Sequence, residues 1–205
     1  GTLDSAIKNV AVGSQALQAI TSADYNTAIG HSSLMNTTSG GYNTALGHKS
    51  LNLNTTGQYN FAAGKNALYA NTTGSFNSAA GTYALGNTST GGSNSAFGYE
   101  ALYTNTTGSM LTAFGYQSAR NNSSGVGTTA MGYRSLYSNT TGSSNSAFGK
   151  NSLFSNTTGN MNVAFGEGSL YSNTTGSYNS AIGHESLGSN TTGESNTSVG
   201  YYSLT

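Results

Sequence analysis

Written in rows of 17 starting at Gly1, the chain aligns without a gap for twelve rows, and Thr205 opens a thirteenth. Column 13 is Gly in every row, from Gly13 and Gly30 to Gly183 and Gly200, and column 17 is Leu in eleven rows with Ala119 the exception. Column 16 is always Ala or Ser, and column 11 is Ala except at Ser198. Column 12 is always apolar, and column 9 is Asn except at Leu111 and Thr128. A chain that holds size and polarity at so many columns is an array of stacked units, each covering the next. Without that phase, the abundance of Gly, Ser, Asn and Thr would read as a disordered linker.

Most rows carry an Asn-Thr-Thr-Gly block in columns 3 to 6, at Asn54, Asn71, Asn105, Asn139, Asn156, Asn173 and Asn190. Asn and Thr side chains bond to nearby backbone, so the block reads as a turn, with its Gly expected to supply a positive φ. The Gly of column 13 marks a second corner, or a place where coils pack too closely for a Cβ. Two corners in 17 residues leave room for two short strands, columns 8 to 12 and columns 15 to 1, and too little for a helical repeat. The expected fold is therefore all-β, a parallel β-solenoid of twelve 17-residue coils. At about 4.8 Å per coil it makes a rod about 57 Å long. Residues 1–34, where Ile20-Thr21-Ser22-Ala23 replaces the turn block, read as lead-in coils, and 35–205 as the regular solenoid. Row 1 begins in phase and neither end carries an atypical polar repeat, so the chain is expected to be a piece of a longer array, or to stack end to end as a filament.

Alternation puts columns 9 and 11 on one side of the first strand and columns 8, 10 and 12 on the other, and columns 16 and 17 on opposite sides of the second. Both sides are regular. A lone solenoid needs regularity only inside, and a thin coil encloses little apolar volume, so the second regular side implies burial against other copies. A parallel homo-oligomer, a trimer about the rod axis, is the expected state.

Charged residues make up 6% of the chain, against roughly 25% in a typical soluble domain. Lys8, Lys49, Lys65, Arg120, Arg134 and Lys150 are scattered singly, which leaves no footprint for a nucleic acid. No apolar run is long enough for a membrane span. Asp4, Asp24, Glu100, Glu167, Glu185 and Glu194 form no pair suited to acid–base work, and no Ser or Thr is singled out by a motif, so no enzyme, catalytic residue or cofactor is expected. His31 and His48 occupy column 14 of adjacent coils and are the weak candidates for a metal; the simpler reading of that varied column is solvent exposure.

Twelve Asn-x-Ser/Thr sequons occur, and since turns are exposed, those at Asn54, Asn71, Asn105, Asn139, Asn156, Asn173 and Asn190 would carry a row of glycans if the source glycosylates Asn; the simpler reading is turn chemistry with the sequon incidental. Tyr69, Tyr103, Tyr137, Phe154 and Tyr171 share column 1, as a packing ladder or a stacking track for sugars. The Thr pairs of columns 4 and 5, such as Thr55 and Thr56, offer hydroxyls to ice, although adjacent residues cannot both project from one strand face.

The stretches Asn145-Ser146-Ala147-Phe148-Gly149, Asn179-Ser180-Ala181-Ile182-Gly183 and Asn26-Thr27-Ala28-Ile29-Gly30 resemble the tandem repeat region of tail-fibre-type proteins of phages and bacteria. That resemblance runs from about Tyr25 to Leu204. More distantly the chain is similar to the head of trimeric autotransporter adhesins, whose coils are shorter and carry one more residue between Ser and Gly. Both resemblances imply trimeric parallel β-solenoid fibres outside a cell or virion. The expected function is a structural shaft or adhesin segment that spaces or presents a receptor-binding tip. Its partners would be other copies of itself and a cell-surface glycan or receptor; a glycan- or ice-binding face is the alternative.

Overall fold

The structure, a computed structural model, describes residues 8–205; Asp4 lies outside them. Each coil contributes one strand of three residues, in columns 10 to 12, beginning with β1 (Val10–Val12) and β2 (Thr27–Ile29) and ending with β12 (Thr197–Val199). The twelve strands form one parallel sheet in sequence order. The register is the repeat itself: Val10 faces Thr27, Ala11 faces Ala28, and Val12 faces Ile29. β1 and β2 pair in the same register as the later strands, so the strand pairing draws no boundary at residue 34.

Ala11 begins the inward column at the open end of the sheet, and from Ala28 to Ala181 that column is fully buried. The Leu column from Leu34 to Leu170 packs against it, with Ala119 in the place of the missing Leu. Burying each such Leu is worth about 1.5–3 kcal/mol. The core is thus one line of Leu against one line of Ala, extended along the rod.

The second strand expected over columns 15 to 1 does not form. Column 13 instead opens a turn: the Ser33 N–H donates to the Gly30 carbonyl at 3.3 Å, with Ser32 between them at φ +56°. A second turn follows from Leu34, itself at φ +47°, to Thr37. Left-handed backbone at columns 15 and 17 abolishes strand alternation, and Ser33 and Leu34 are both buried, not on opposite sides. Such backbone costs about 1–2 kcal/mol for a residue with a Cβ. Bonds between coils offset it, because turn N–H groups reach the next coil: Leu34 to Ser50 at 3.1 Å and Asn36 to Asn52 at 3.1 Å. The sheet is three residues wide, yet its ladder runs on around the corners.

The two Gly columns have different reasons. Column 13 combines both proposed at the outset: Gly98 has φ +136°, and a Cβ there would stand 2.7 Å from the Gly115 carbonyl carbon. Column 6 does not supply positive φ. A Cβ on Gly57 would collide with the Gly74 carbonyl and with Oδ1 of Asn54, so that column is Gly because coils stack there in contact.

Candidate functional site

The turn-block Asn residues point inward. Asn54, Asn71, Asn105, Asn139, Asn156 and Asn173 are fully buried, and each bonds to a column 3 side chain of an adjacent coil, Asn105 to Thr88 and Asn122. The Asn71 Nδ2 donates to Asn54 Oδ1 at 2.8 Å and to the Gly74 carbonyl at 3.0 Å. Asn190 does the same toward Asn173 at 2.8 Å. The expectation of outward glycans on these seven residues is therefore corrected: the nitrogen that would carry the sugar is engaged inside the coil. Of the other sequons, Asn87 is exposed.

Column 9 forms a second internal ladder. The Asn43 backbone N–H donates to Asn26 Oδ1 at 3.0 Å, while its Nδ2 donates to the Gly57 carbonyl at 2.9 Å. Each Asn in this column thus ties its own coil to the neighbours on either side. Where a ladder is broken, a buried polar atom loses its partner. Thr88 replaces Asn in column 3, and Oδ1 of the preceding Asn71 has no partner; Leu111 replaces Asn in column 9, and Oγ1 of the following Thr128 has none.

The outer side of the sheet has the opposite character. Column 12 places Val12, Ile29, Phe114, Met131, Phe165, Ile182 and Val199 at the surface. Phe97 stacks on Phe114 with ring centroids 4.4 Å apart, and Phe148 on Phe165 at 5.1 Å. Column 10 holds Ser or Thr except at Val10, Phe61 and Val163. Along column 8, Tyr25, Tyr42, Tyr59 and Phe76 stack at 4.8 to 5.2 Å although each sits at φ near +60°. Column 14 adds Tyr99, Tyr116 and Tyr133, stacked at 5.4 Å. Columns 8 and 14 were not singled out as ladders in the sequence; the signal was there in Tyr recurring at 17-residue spacing. Of the large apolar side chains exposed among the described residues, all but Tyr171, Tyr202 and Leu204 fall in columns 8, 10, 12 and 14.

His31 and His48 stack face to face at 5.3 Å, and His31 Nδ1 lies 2.9 Å from the Ser32 hydroxyl. Among the described residues no group of three or more His, Cys, Asp or Glu is placed to hold a metal ion. The Thr hydroxyls of column 4 are engaged by the next coil, as Thr55 Oγ1 donates to the Thr72 carbonyl at 3.0 Å. In column 1, Tyr137, Phe154 and Tyr171 stack as a ladder, whereas Tyr103 turns edge-on to Tyr83.

One charged cluster decorates a corner. Arg120 Nε donates to Glu100 Oε2 at 2.6 Å, Gln117 Nε2 donates to the same oxygen at 2.9 Å, and Arg134 Nε donates to Gln117 Oε1 at 2.9 Å. Partial burial pushes the Glu100 carboxyl upward, but the donors Arg120, Gln117 and Tyr99 prevail and hold it below its ordinary range. Comparison with known protein families, curated proteins and solved structures finds no match to this chain.

Proposed function

We propose that the chain is a shaft segment of an extracellular or virion-associated fibre, in which parallel copies, three about the rod axis, bury the outer sides of their sheets against one another. The observation that carries this reading is that all but three of the exposed large apolar side chains among the described residues fall in columns 8, 10, 12 and 14. Soluble monomers seldom expose a contiguous apolar patch larger than a few hundred Å². Here column 12 is apolar in every coil along a rod about 57 Å long, flanked over part of its length by the rings of columns 8 and 14 and by the hydroxyls of column 10. The internal design supports the same reading: Asn ladders and the Leu and Ala core columns repeat one coil at a fixed register, as a spacer requires.

Light scattering on the native chain tests it. A mass of three times 20.8 kDa is the expected result, with elongated rods in electron micrographs. A mass of 20.8 kDa at every concentration sinks the proposal.

A further inference from the structure

The outer side of the sheet has two edges, column 8 before the strand and column 14 after it, and no coil carries Tyr or Phe on both. With coils numbered by row, column 8 holds Tyr25, Tyr42, Tyr59 and Phe76 in coils 2 to 5 and Tyr178 in coil 11. In those coils column 14 holds His31, His48, Lys65, Thr82 and His184. Column 14 holds Tyr99, Tyr116 and Tyr133 in coils 6 to 8, and there column 8 falls to Ser93, Met110 and Gly127. The phenyl and phenol rings thus cross from one edge to the other between coils 5 and 6.

Nothing within one chain forces this exclusion. The strand stands between the two edges, and among the described residues no ring contact joins column 8 to column 14. Rings stack along their own column instead, Tyr25 to Phe76 at 4.8 to 5.2 Å and Tyr99 to Tyr133 at 5.4 Å. All of them are exposed. Solvated rings on opposite edges have no reason to avoid one another.

A second copy supplies the reason. When copies are related by rotation about an axis parallel to the rod, the column 8 edge of one meets the column 14 edge of the next at the same height. Each ring then faces a smaller residue: Tyr42 faces His48, Phe76 faces Thr82, and Tyr133 faces Gly127. Sliding one copy by a single coil sets Phe76 against Tyr99, and sliding it the other way leaves Ser93 against Thr82 with a ring on neither. Charge agrees with this pairing. Column 8 is uncharged from Tyr25 onward, so Lys65, Lys150 and Glu167 of column 14 each meet a neutral residue. A two-fold axis across the rod would instead set column 14 against itself.

We infer that the two edges are a register key between copies of this chain: copies lie parallel and level, the column 8 edge of one seated against the column 14 edge of the next, coil by coil. The inference rests on the association proposed above and adds what that association needs. An apolar strip that repeats every coil resists slippage by whole coils only weakly, whereas ring-on-ring collisions at the edges penalise it.

Exchanging the pair in one coil tests it. Thr82→Tyr extends the Tyr column of coils 6 to 8 by one rung, so the chain should keep its unfolding transition, but the new ring meets the partner's Phe76. Association should weaken at least about ten-fold, read by sedimentation at graded dilution with urea added where dilution alone does not part the copies. Adding Phe76→Ser in the same chain should restore it to within about three-fold, whereas adding Tyr42→Ser, two coils away, should not. A second measurement asks nothing of a ring. The chain has no Cys, so Ser144→Cys with Lys150→Cys in one chain should oxidise to covalent multimers under copper phenanthroline. Either substitution alone should not, nor should Ser144→Cys with Tyr116→Cys, which is two coils out of register. The pairing is overturned, with the association left standing, by unchanged association of Thr82→Tyr or by equal rescue from Phe76→Ser and Tyr42→Ser. A single Cys or the offset pair cross-linking as well as the matched pair overturns it too. A chain that stays monomeric at every concentration removes the association and the pairing together.

Discussion

The two sides of the same three-residue strands obey different rules. In β6 (Ser95–Phe97) and β7 (Thr112–Phe114), Ala96 and Ala113 are sealed inside, while Phe97 and Phe114 stack on the outer side. Inward, the identity of the residue is fixed: Ala recurs in column 11 and Gly in column 13 through nearly every coil. Outward, only character is kept, since column 12 accepts Val, Ile, Leu, Ala, Phe and Met. The inner side has no free volume, because the neighbouring coil lies one strand spacing away and repeats the same atoms. The outer side tolerates any size that remains apolar, as an adaptable contact surface does. Inner substitutions should therefore act on the stability of one chain, and outer ones on association.

The sharpest contrast is within column 13. Gly98→Ala meets the backbone of the next coil and also a φ of +136°, whereas Gly200→Ala meets only the side chain of Ser203, 3.7 Å away, at φ +131°. The strain alone is worth about 1–3 kcal/mol, so Gly200→Ala should lose that much. Gly98→Ala adds a backbone collision and should lose more than about 4 kcal/mol, or part the rod at that coil, as read by denaturant unfolding and hydrogen exchange. Equal losses would mean that coil contact is not what fixes this column.

A second contrast lies between substitutions on the two sides of one strand. Ala96→Leu pushes extra methylenes into the line of Leu102 and its neighbours and should lose about 1–3 kcal/mol. Phe97→Leu, one residue on, should change monomer unfolding by less than about 1 kcal/mol. If both are equally harmless, the core is looser than the buried Ala column implies.

The internal ladders allow a break and a repair. Asn156 donates to Asn139 Oδ1 and to the Gly159 carbonyl and accepts from Asn173 Nδ2; the Gly159 carbonyl keeps its bond from Asn145 Nδ2, so Asn156→Ala strands Asn139 Oδ1 and one Asn173 N–H and should lose about 2–4 kcal/mol. Thr88→Asn gives Asn71 Oδ1 its missing donor and should add about 1 kcal/mol to the free energy of unfolding. A neutral or destabilising Thr88→Asn would show that the ladder acts through side-chain size and not through its hydrogen bonds.

These ladders also mark where the sequence stopped being legible. The period, the corner at column 13 and the opposed sides of columns 9 to 12 follow from spacing, because spacing and strand geometry share one arithmetic. The inward turn of Asn54 and its relatives does not follow, since Asn-Thr-Thr-Gly is equally apt for an exposed turn. It depends on the neighbouring coil offering Oδ1 and a carbonyl at the right height. The lost second strand is a similar case. Leu has no preference for left-handed backbone, yet Leu34 through Leu187 adopt it because this conformation delivers columns 16 and 17 together to the core.

The smallest expected effect separates the two sides by pH. The buried polar residues are Asn, Ser, Thr and Gln, with no ionisable side chain among those described, so any pH dependence of unfolding arises on the outer surface and its corners. Glu100 is the leading group there, its carboxyl held low by Arg120, Gln117 and Tyr99 against the upward push of burial. Glu167 is also held low, by Lys150. A carboxyl with a depressed folded pKa contributes stability that is fully present above its unfolded value, 4.5, and is lost as pH falls through the folded value. Unfolding free energy should thus stay flat from neutral pH to about 5 and decline below it, by an amount typical of partly exposed pairs, ~1 kcal/mol or less for Glu100. Glu100→Gln should flatten most of that decline. The acid limb should leave the amide ladders intact, so hydrogen exchange at Asn43 and Asn60, whose N–H groups donate to Asn26 and Asn43, should keep its protection at pH 3. Loss of that protection in step with Glu100 protonation would show that the outer corner and the inner ladder open as one unit, and the division between the two sides would have to be given up.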